Sequence, residues 1–260
     1  MKLARTYGIA RSLAVYYGQI WRRGRLEAFY RQFLTPGALA FDIGSHVGNR
    51  TRAWRHLGAK VVAVEPQPDF FRLLSALFGR DSMVVLENCG IAAQTGKGTL
   101  WISTATPTVS SCTGEWVEDA REAPKFDGIR WDQKQSIKLR TLQDLIDQYG
   151  IPEFCKIDIE GGEEEALRGL ATPIAALSFE CVSVMWERAQ RCIAVLDELG
   201  DYEYRYSKLE TMRWSSDRWL TSSEMRAFLG TLSRNAPAGD VYARLSRPQE
   251  QAPTQEEAPT

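Results

Sequence analysis

Two short runs of the chain hold side chains whose types and spacing suit chemistry. In the first, Phe41-Asp42-Ile43-Gly44-Ser45-His46-Val47-Gly48, an acid and two glycines sit where a strand hands over to a helix. Gly44 opens backbone angles closed to other residues and lets a ligand come close, and Gly48 permits tight packing where the helix begins. The free N–H groups of a helix start suit a carboxylate. Asp42 adds a fixed negative charge that can accept hydrogen bonds from an amino group or orient the loop. The second run is Cys155-Lys156-Ile157-Asp158-Ile159-Glu160-Gly161-Gly162. Alternation along a strand puts Ile157 and Ile159 on one side and Lys156, Asp158 and Glu160 on the other. Central parallel strands are usually apolar on both faces. Charges gathered on one face therefore line a ligand cleft or neutralise one another as a structural cluster. In the cleft, Asp158 or Glu160 could take a proton, with Lys156 tuning the charge.

Glu65 ends the next strand, 23 residues after Asp42, and Pro66 follows it. An acid at that place accepts both hydroxyls of an adenosine ribose and repels a 2′-phosphate. The pair points to NAD or S-adenosylmethionine. A dinucleotide loop needs Gly-x-Gly-x-x-Gly to approach a pyrophosphate, whereas here His46 stands two places after Gly44. S-adenosylmethionine has no pyrophosphate and tolerates the less open loop. Asn88-Cys89-Gly90-Ile91 after the third strand either contacts adenine, through Asn88 and Gly90, or is a plain turn. Glu180 is a substrate-side acid or an acid buried beside a cation. His46 orients the loop rather than acting as a base, and His56 lies on the surface. Glu163, Glu164 and Glu165 occupy a first helical turn, where the helix dipole favours negative charge.

The elements that must position these residues follow from periodicity. Strands are expected at 38–43, 60–64, 82–87, 99–103, 136–140, 154–159 and 175–181, with late strands at 202–206 and 241–245. Helices are expected at 49–57, 70–78, 142–149, 163–170 and 187–199, with breaks at Pro36-Gly37 and at Thr95-Gly96-Lys97-Gly98. Such alternation builds an α/β fold with a doubly wound, mostly parallel sheet, and its ligands bind outside the carboxyl ends of the strands. Residues 104–135, with Trp116 and Trp131, are expected as a long functional loop, a partly ordered cover.

The domain is expected over residues 38–246, preceded by a basic helical extension at 1–37 and followed by a disordered, Pro- and Glu-containing tail at 247–260. In the extension, Leu3, Tyr7, Ala10, Leu13, Ala14 and Tyr17 recur at helical spacing. Lys2, Arg5, Arg11, Arg22, Arg23, Arg25 and Arg31 face only Glu27. This is expected to be a helix packed on the domain with a solvated rim; peripheral contact of residues 1–35 with an anionic membrane surface is the alternative.

A net charge of -1 over 260 residues does not point to nucleic acid. The cysteine count of five is odd, none is spaced Cys-x-x-Cys, and there are two histidines. Neither a disulfide framework nor a metal site is expected, and a reducing compartment fits. No apolar stretch suits a membrane span. Arg11 interrupts the apolar run after Met1-Lys2-Leu3-Ala4-Arg5, so the start is taken as mature, cytoplasmic sequence.

Taken in order, Phe-Asp-Ile-Gly-Ser-His-Val-Gly, Val-Val-Ala-Val-Glu-Pro-Gln-Pro, Arg-Thr-Leu-Gln-Asp-Leu-Ile and Lys-Ile-Asp-Ile-Glu-Gly-Gly-Glu resemble the FkbM family of methyltransferases, over residues of about 38 to 180. The resemblance implies a Rossmann-like class I methyltransferase fold with S-adenosyl-L-methionine as cofactor. It implies O-methylation of a hydroxyl on a sugar, glycan or polyketide-like natural product. It also implies that Asp42, Gly44 and Gly48 form the cofactor loop, that Asn49 and Thr51 lie near the methionine end, and that Glu65 takes the ribose. Ser110 and Ser111 match a small-residue spot in the family's middle loop, and Asp158 and Glu160 match its acidic strand near methyl transfer. His46 stands where the family commonly has Asn, and Gln143 where it commonly has Asp, a structural position. The family carries no assigned general base onto this chain. An NAD-dependent oxidoreductase and a non-catalytic, membrane-associated module of the same fold are the competing functions.

Overall fold

In the computed structural model of the chain, residues 20–233 and 235–246 are described. The elements run α1 (Ile20–Tyr30), β1 (Leu39–Ile43), α2 (Asn49–His56), β2 (Lys60–Val64), α3 (Pro68–Phe78), β3 (Val84–Glu87), β4 (Gly90–Ile91) and β5 (Gly96–Ile102). They continue with α4 (Gly114–Glu122), β6 (Gln133–Arg140), α5 (Leu142–Tyr149), β7 (Phe154–Ile157), α6 (Glu163–Arg168), β8 (Ala176–Cys181), α7 (Trp186–Leu199), β9 (Tyr202–Lys208), α8 (Ser222–Gly230) and β10 (Gly239–Leu245).

A seven-stranded sheet has the order β3-β2-β1-β7-β8-β10-β9. All its pairings are parallel up to β8; β10 is antiparallel to both β8 and β9. The sheet is thus the doubly wound, mostly parallel α/β type, and its switch point lies between β1 and β7, where a ligand crevice forms. Alternation divides the core. Phe41, Ile43, Val62, Val64, Cys155 and Ile157 face helices α5 to α8, and Ala40, Val61, Ala63 and Phe154 face α1 and α2. Helix α1 buries Leu26, Phe29 and Tyr30 in that second face, which places the 20–30 part of the basic extension against the sheet. The helical spacing expected at residues 3–17 and the tail at 247–260 lie outside the described residues. No helix among the described residues is long and apolar enough to cross a membrane.

Three differences from the expected elements bear on the site. Strand β7 stops at Ile157, so the acids beyond it lie in a turn. Residues 104–135 form a helix and a small core. Trp116, Val117, Ala120, Ala123, Phe126 and Trp131 are buried together, with the Trp116 ring edge-on to Phe126 at 5.5 Å and to Trp131 at 5.9 Å. Those large aromatic side chains bury enough surface to order the segment. Helix α8 was not anticipated; a capping box in which Thr221 and Glu224 satisfy each other's backbone N–H fixes its start.

Candidate active site

The loop after β1 is built around two acids with satisfied oxygens. Asp42 Oδ2 accepts from Thr51 N at 3.0 Å and Thr51 Oγ1 at 2.6 Å. The strand-tip acid therefore caps the third residue of α2, whose N-cap Gly48 has no side chain to do so. Burial pushes the Asp42 carboxyl above its usual range, opposed by the Thr51 hydroxyl and then by Arg50. Glu65 Oε2 accepts from His46 N and Oε1 from Gln67 N, both at 2.8 Å. Burial raises the Glu65 carboxyl to about 7 against those backbone donors. Each oxygen keeps a free lone pair, and Glu65 lines the cleft.

His46 holds the loop in a left-handed turn, with φ 49°. Asn, Asp and His are the residues that most readily accept such angles, which accounts for His where the resemblance implies Asn. Its ring lies 4.1 Å from Phe70, and burial lowers its pKa to about 4, so it is neutral at neutral pH. Gly44 has φ 81°, and a Cβ there would run into the Asp158 carbonyl. This close approach seats the acidic turn directly against the loop.

An open cleft of about 870 Å³ is lined on one side by Asp42, Gly44, His46, Asn49, Glu65, Pro66 and Gly90, and on the other by Asp158, Ile159 and Glu160. Ser110 reaches the cleft as well. Four expected site residues do not line it. Gly48 packs on Leu74 and Phe78. Thr51 turns its hydroxyl back onto Asp42. Asn88 is exposed and donates Nδ2 to Glu65 O at 2.8 Å, so it braces the backbone of Glu65. Lys156 is completely buried, with Nζ 2.8 Å from Asp240 and 3.2 Å from Asp158.

The acidic turn departs most from the sequence expectation. Alternation stops with the strand, and Glu160 adopts φ 53°. Its carbonyl accepts from Ser111 Oγ at 2.6 Å, and Glu163 Oε1 accepts from Ile159 N at 3.0 Å. Glu163 is thus a buried cap for the turn as well as a first-turn acid. Carboxylate oxygens of Asp158, Glu160 and Glu180 lie within 4.8 Å of one another. Burial opposes ionisation of Asp158, but Lys156 and Arg50 outweigh it and hold the carboxyl below the usual range. Burial also works against the Lys156 ammonium and is overcome by Asp158 and Asp240. Burial first, then neighbouring acids, push Glu160 and Glu180 well above the usual carboxylate range.

Arg50, Glu210 and Asp240 were not singled out in the sequence. Arg50 lines the cleft, 3.2 Å from Glu210 and 3.9 Å from Asp158. No signal separates Arg50 from its neighbour Arg52. Its inward turn comes from its place one residue into α2, facing the acidic turn.

A family model described as the Methyltransferase FkbM domain matches residues 42–206. No curated protein matches. Similar solved structures include a TehB-like SAM-dependent methyltransferase from Corynebacterium glutamicum, 10% identical over 94% of this chain and 99% of that one, TM-score 0.47. An O-methyltransferase from Bacillus cereus in complex with SAH is 10% identical over 92% of this chain and 91% of that one, TM-score 0.46. A precorrin-6y C5,15-methyltransferase from Geobacter metallireducens is 12% identical over 86% and 87%, TM-score 0.44. The family match spans well over half of the sequence, from the acid of the cofactor loop to β9, and the chain belongs to the FkbM methyltransferase family.

Proposed function

We propose that this methyltransferase acts in the cytoplasm and moves the methyl group of S-adenosylmethionine onto a hydroxyl of a sugar, glycan or polyketide-like natural product. The observation that carries the proposal is the single cleft walled by Glu65 and the Gly44 loop on one side and by Asp158 and Glu160 on the other. When bound, the cofactor supplies an activated methyl on a sulfonium. Glu65 accepts the ribose hydroxyls while its backbone donors hold it in place. The start of α2, at Asn49, faces the carboxylate of the methionine end. Asp158, kept ionised by Lys156 and Arg50, favours a cationic ligand over its neutral product. The acidic wall accepts hydrogen bonds from acceptor hydroxyls and offers a place for the proton they lose.

The test is incubation with isotopically labelled S-adenosylmethionine and cell extract, followed by mass spectrometry. A labelled methyl ether on a hydroxylated small molecule or glycan is expected; label only on nitrogen or carbon would overturn the O-methyl assignment. Thermal shift with S-adenosylhomocysteine and NAD separates the oxidoreductase alternative, because stabilisation by NAD alone would sink the cofactor assignment.

A further inference from the structure

The acids of the turn differ in what neutralises them. Among the described residues, the two buried cations at this wall, Lys156 and Arg50, both reach Asp158. Lys156 Nζ lies between Asp158 and Asp240, and Arg50 between Asp158 and Glu210. Glu180 Oε2 is buried and has no hydrogen-bond donor, yet it lies within 4.8 Å of Asp158 and Glu160 oxygens. Glu160 also faces Glu163 from α6 and Lys125 from the cover, whose side chain is exposed. Glu180 also faces Glu163, Lys156, and Asp240 from the neighbouring β10, and burial first, then Glu180, raises the Cys181 thiol beside it. Two carboxylates this close without a cation between them do not both ionise; they hold one proton. Asp158 is fixed as an anion, and only Glu160 of the pair lines the cleft.

We infer that Glu160 and Glu180 form a proton-sharing pair, with Glu160 the group that removes the acceptor's hydroxyl proton and Glu180 the positioning residue that keeps Glu160 basic enough to do so. The inference rests on the methyl-transfer function proposed above. As the acceptor oxygen bonds to the methyl carbon, the sulfur–carbon bond breaks and its electron pair stays on sulfur. The hydroxyl proton passes to a Glu160 oxygen in the singly ionised pair, which then loses it to solvent. Glu180→Gln leaves one carboxyl without its like-charged partner, so proton release from Glu160 moves to lower pH.

The experiment needs no acceptor. Sinefungin carries an amine where S-adenosylmethionine carries its methyl, so the ratio of its affinity to that of S-adenosylhomocysteine reads the charge beside the transfer point and cancels effects at Glu65. Calorimetry across pH is expected to show that ratio rising about tenfold as the pair gains negative charge. Glu160→Gln should reduce the rise to within about twofold, and Glu180→Gln should shift it about one pH unit lower. Carboxyl ¹³C NMR of glutamate-labelled protein gives a second measure, in which the last proton of the pair leaves at higher pH than those of the exposed glutamates. A ratio unaffected by Glu160→Gln, an unshifted profile in Glu180→Gln, or both carboxyls titrating in the ordinary range overturns the pair. So does tight uptake of Mg²⁺ or Ca²⁺ that abolishes the pH response. Failure of both ligands to bind defeats the cofactor assignment itself, whereas homocysteine-ligand binding with a flat ratio defeats only the pair.

Discussion

The two halves of the cleft use the same residue type in opposite ways. On the β1–β2 side, Asp42 and Glu65 meet backbone N–H groups, so their oxygens are satisfied and their positions fixed. On the β7–β8 side, Asp158, Glu160 and Glu180 face one another, and of the three it is Asp158 that forms ion pairs with Lys156 and Arg50. Acids held by backbone donors make a rigid binding floor that tolerates no change in shape. Acids held against each other make a wall whose charge responds to what enters. Burial of carboxylates alone does not separate the two cases; the supply of donors does.

The largest effect that would break this contrast is loss of the buried cation. Lys156→Met leaves Asp240 without its cation and Asp158 with Arg50 alone, and should cost about 3–5 kcal/mol in urea unfolding; a cost near zero would mean that the buried Lys156–Asp240–Asp158 cluster does not hold its charges. Gly44→Ala combines a strained left-handed angle with a Cβ driven into the Asp158 carbonyl. S-adenosylhomocysteine binding should weaken at least about thirtyfold, equivalent to about 2 kcal/mol. Glu65→Ala removes a hydrogen-bond acceptor and should weaken binding by about ten- to a hundredfold by calorimetry.

Stability against pH sharpens the contrast further. Burial raises both Glu65, on the floor, and Glu163, beneath the wall, to about 7. An acid whose pKa is higher in the folded state contributes fully below its unfolded value of about 4.5 and loses that contribution as pH rises through about 7. Asp81 and Asp144 shift downward and have finished titrating below this window. Thermal unfolding should therefore occur at lower temperature as pH climbs from about 4.5 to 7, with saturating S-adenosylhomocysteine offsetting the Glu65 share alone. The smallest effect belongs to Asn88. Asn88→Ala should change affinity by no more than about threefold, since the side chain is exposed and braces only the Glu65 backbone.

Much of the floor was legible because its logic is local. Asp42, Gly44 and Glu65 are read from strand ends and turn chemistry within a few residues, and β1 and β2 announce themselves by short, mostly apolar runs. The wall was only half legible. Alternation placed Lys156 with Asp158 and Glu160, but the strand ends at Ile157 and a left-handed Glu160 re-aims the acids, a switch that Gly161-Gly162 hints at without fixing. Lys156 is a buried counter-charge rather than a cleft residue because its partner, Asp240, is brought beside it by strand insertion. Arg50 and Glu210 depend on the same long-range assembly. Thr221-Ser222-Ser223-Glu224 was a readable helix start that periodicity alone passed over.

The placement of β10 has a consequence for the order in which the protein is made. The strand nearest the end of the described fold inserts between β8 and β9, and its Asp240 reaches Lys156 from 84 residues further along the chain. A growing polypeptide that has emitted β1 through β8 holds the cofactor loop but must keep Lys156 hydrated or unsatisfied, because the second of its two anions has not yet been synthesised. The floor can therefore form early and the wall only when synthesis has passed β10. A chain cut short before β10 therefore keeps the loop after β1 but leaves Lys156 without Asp240.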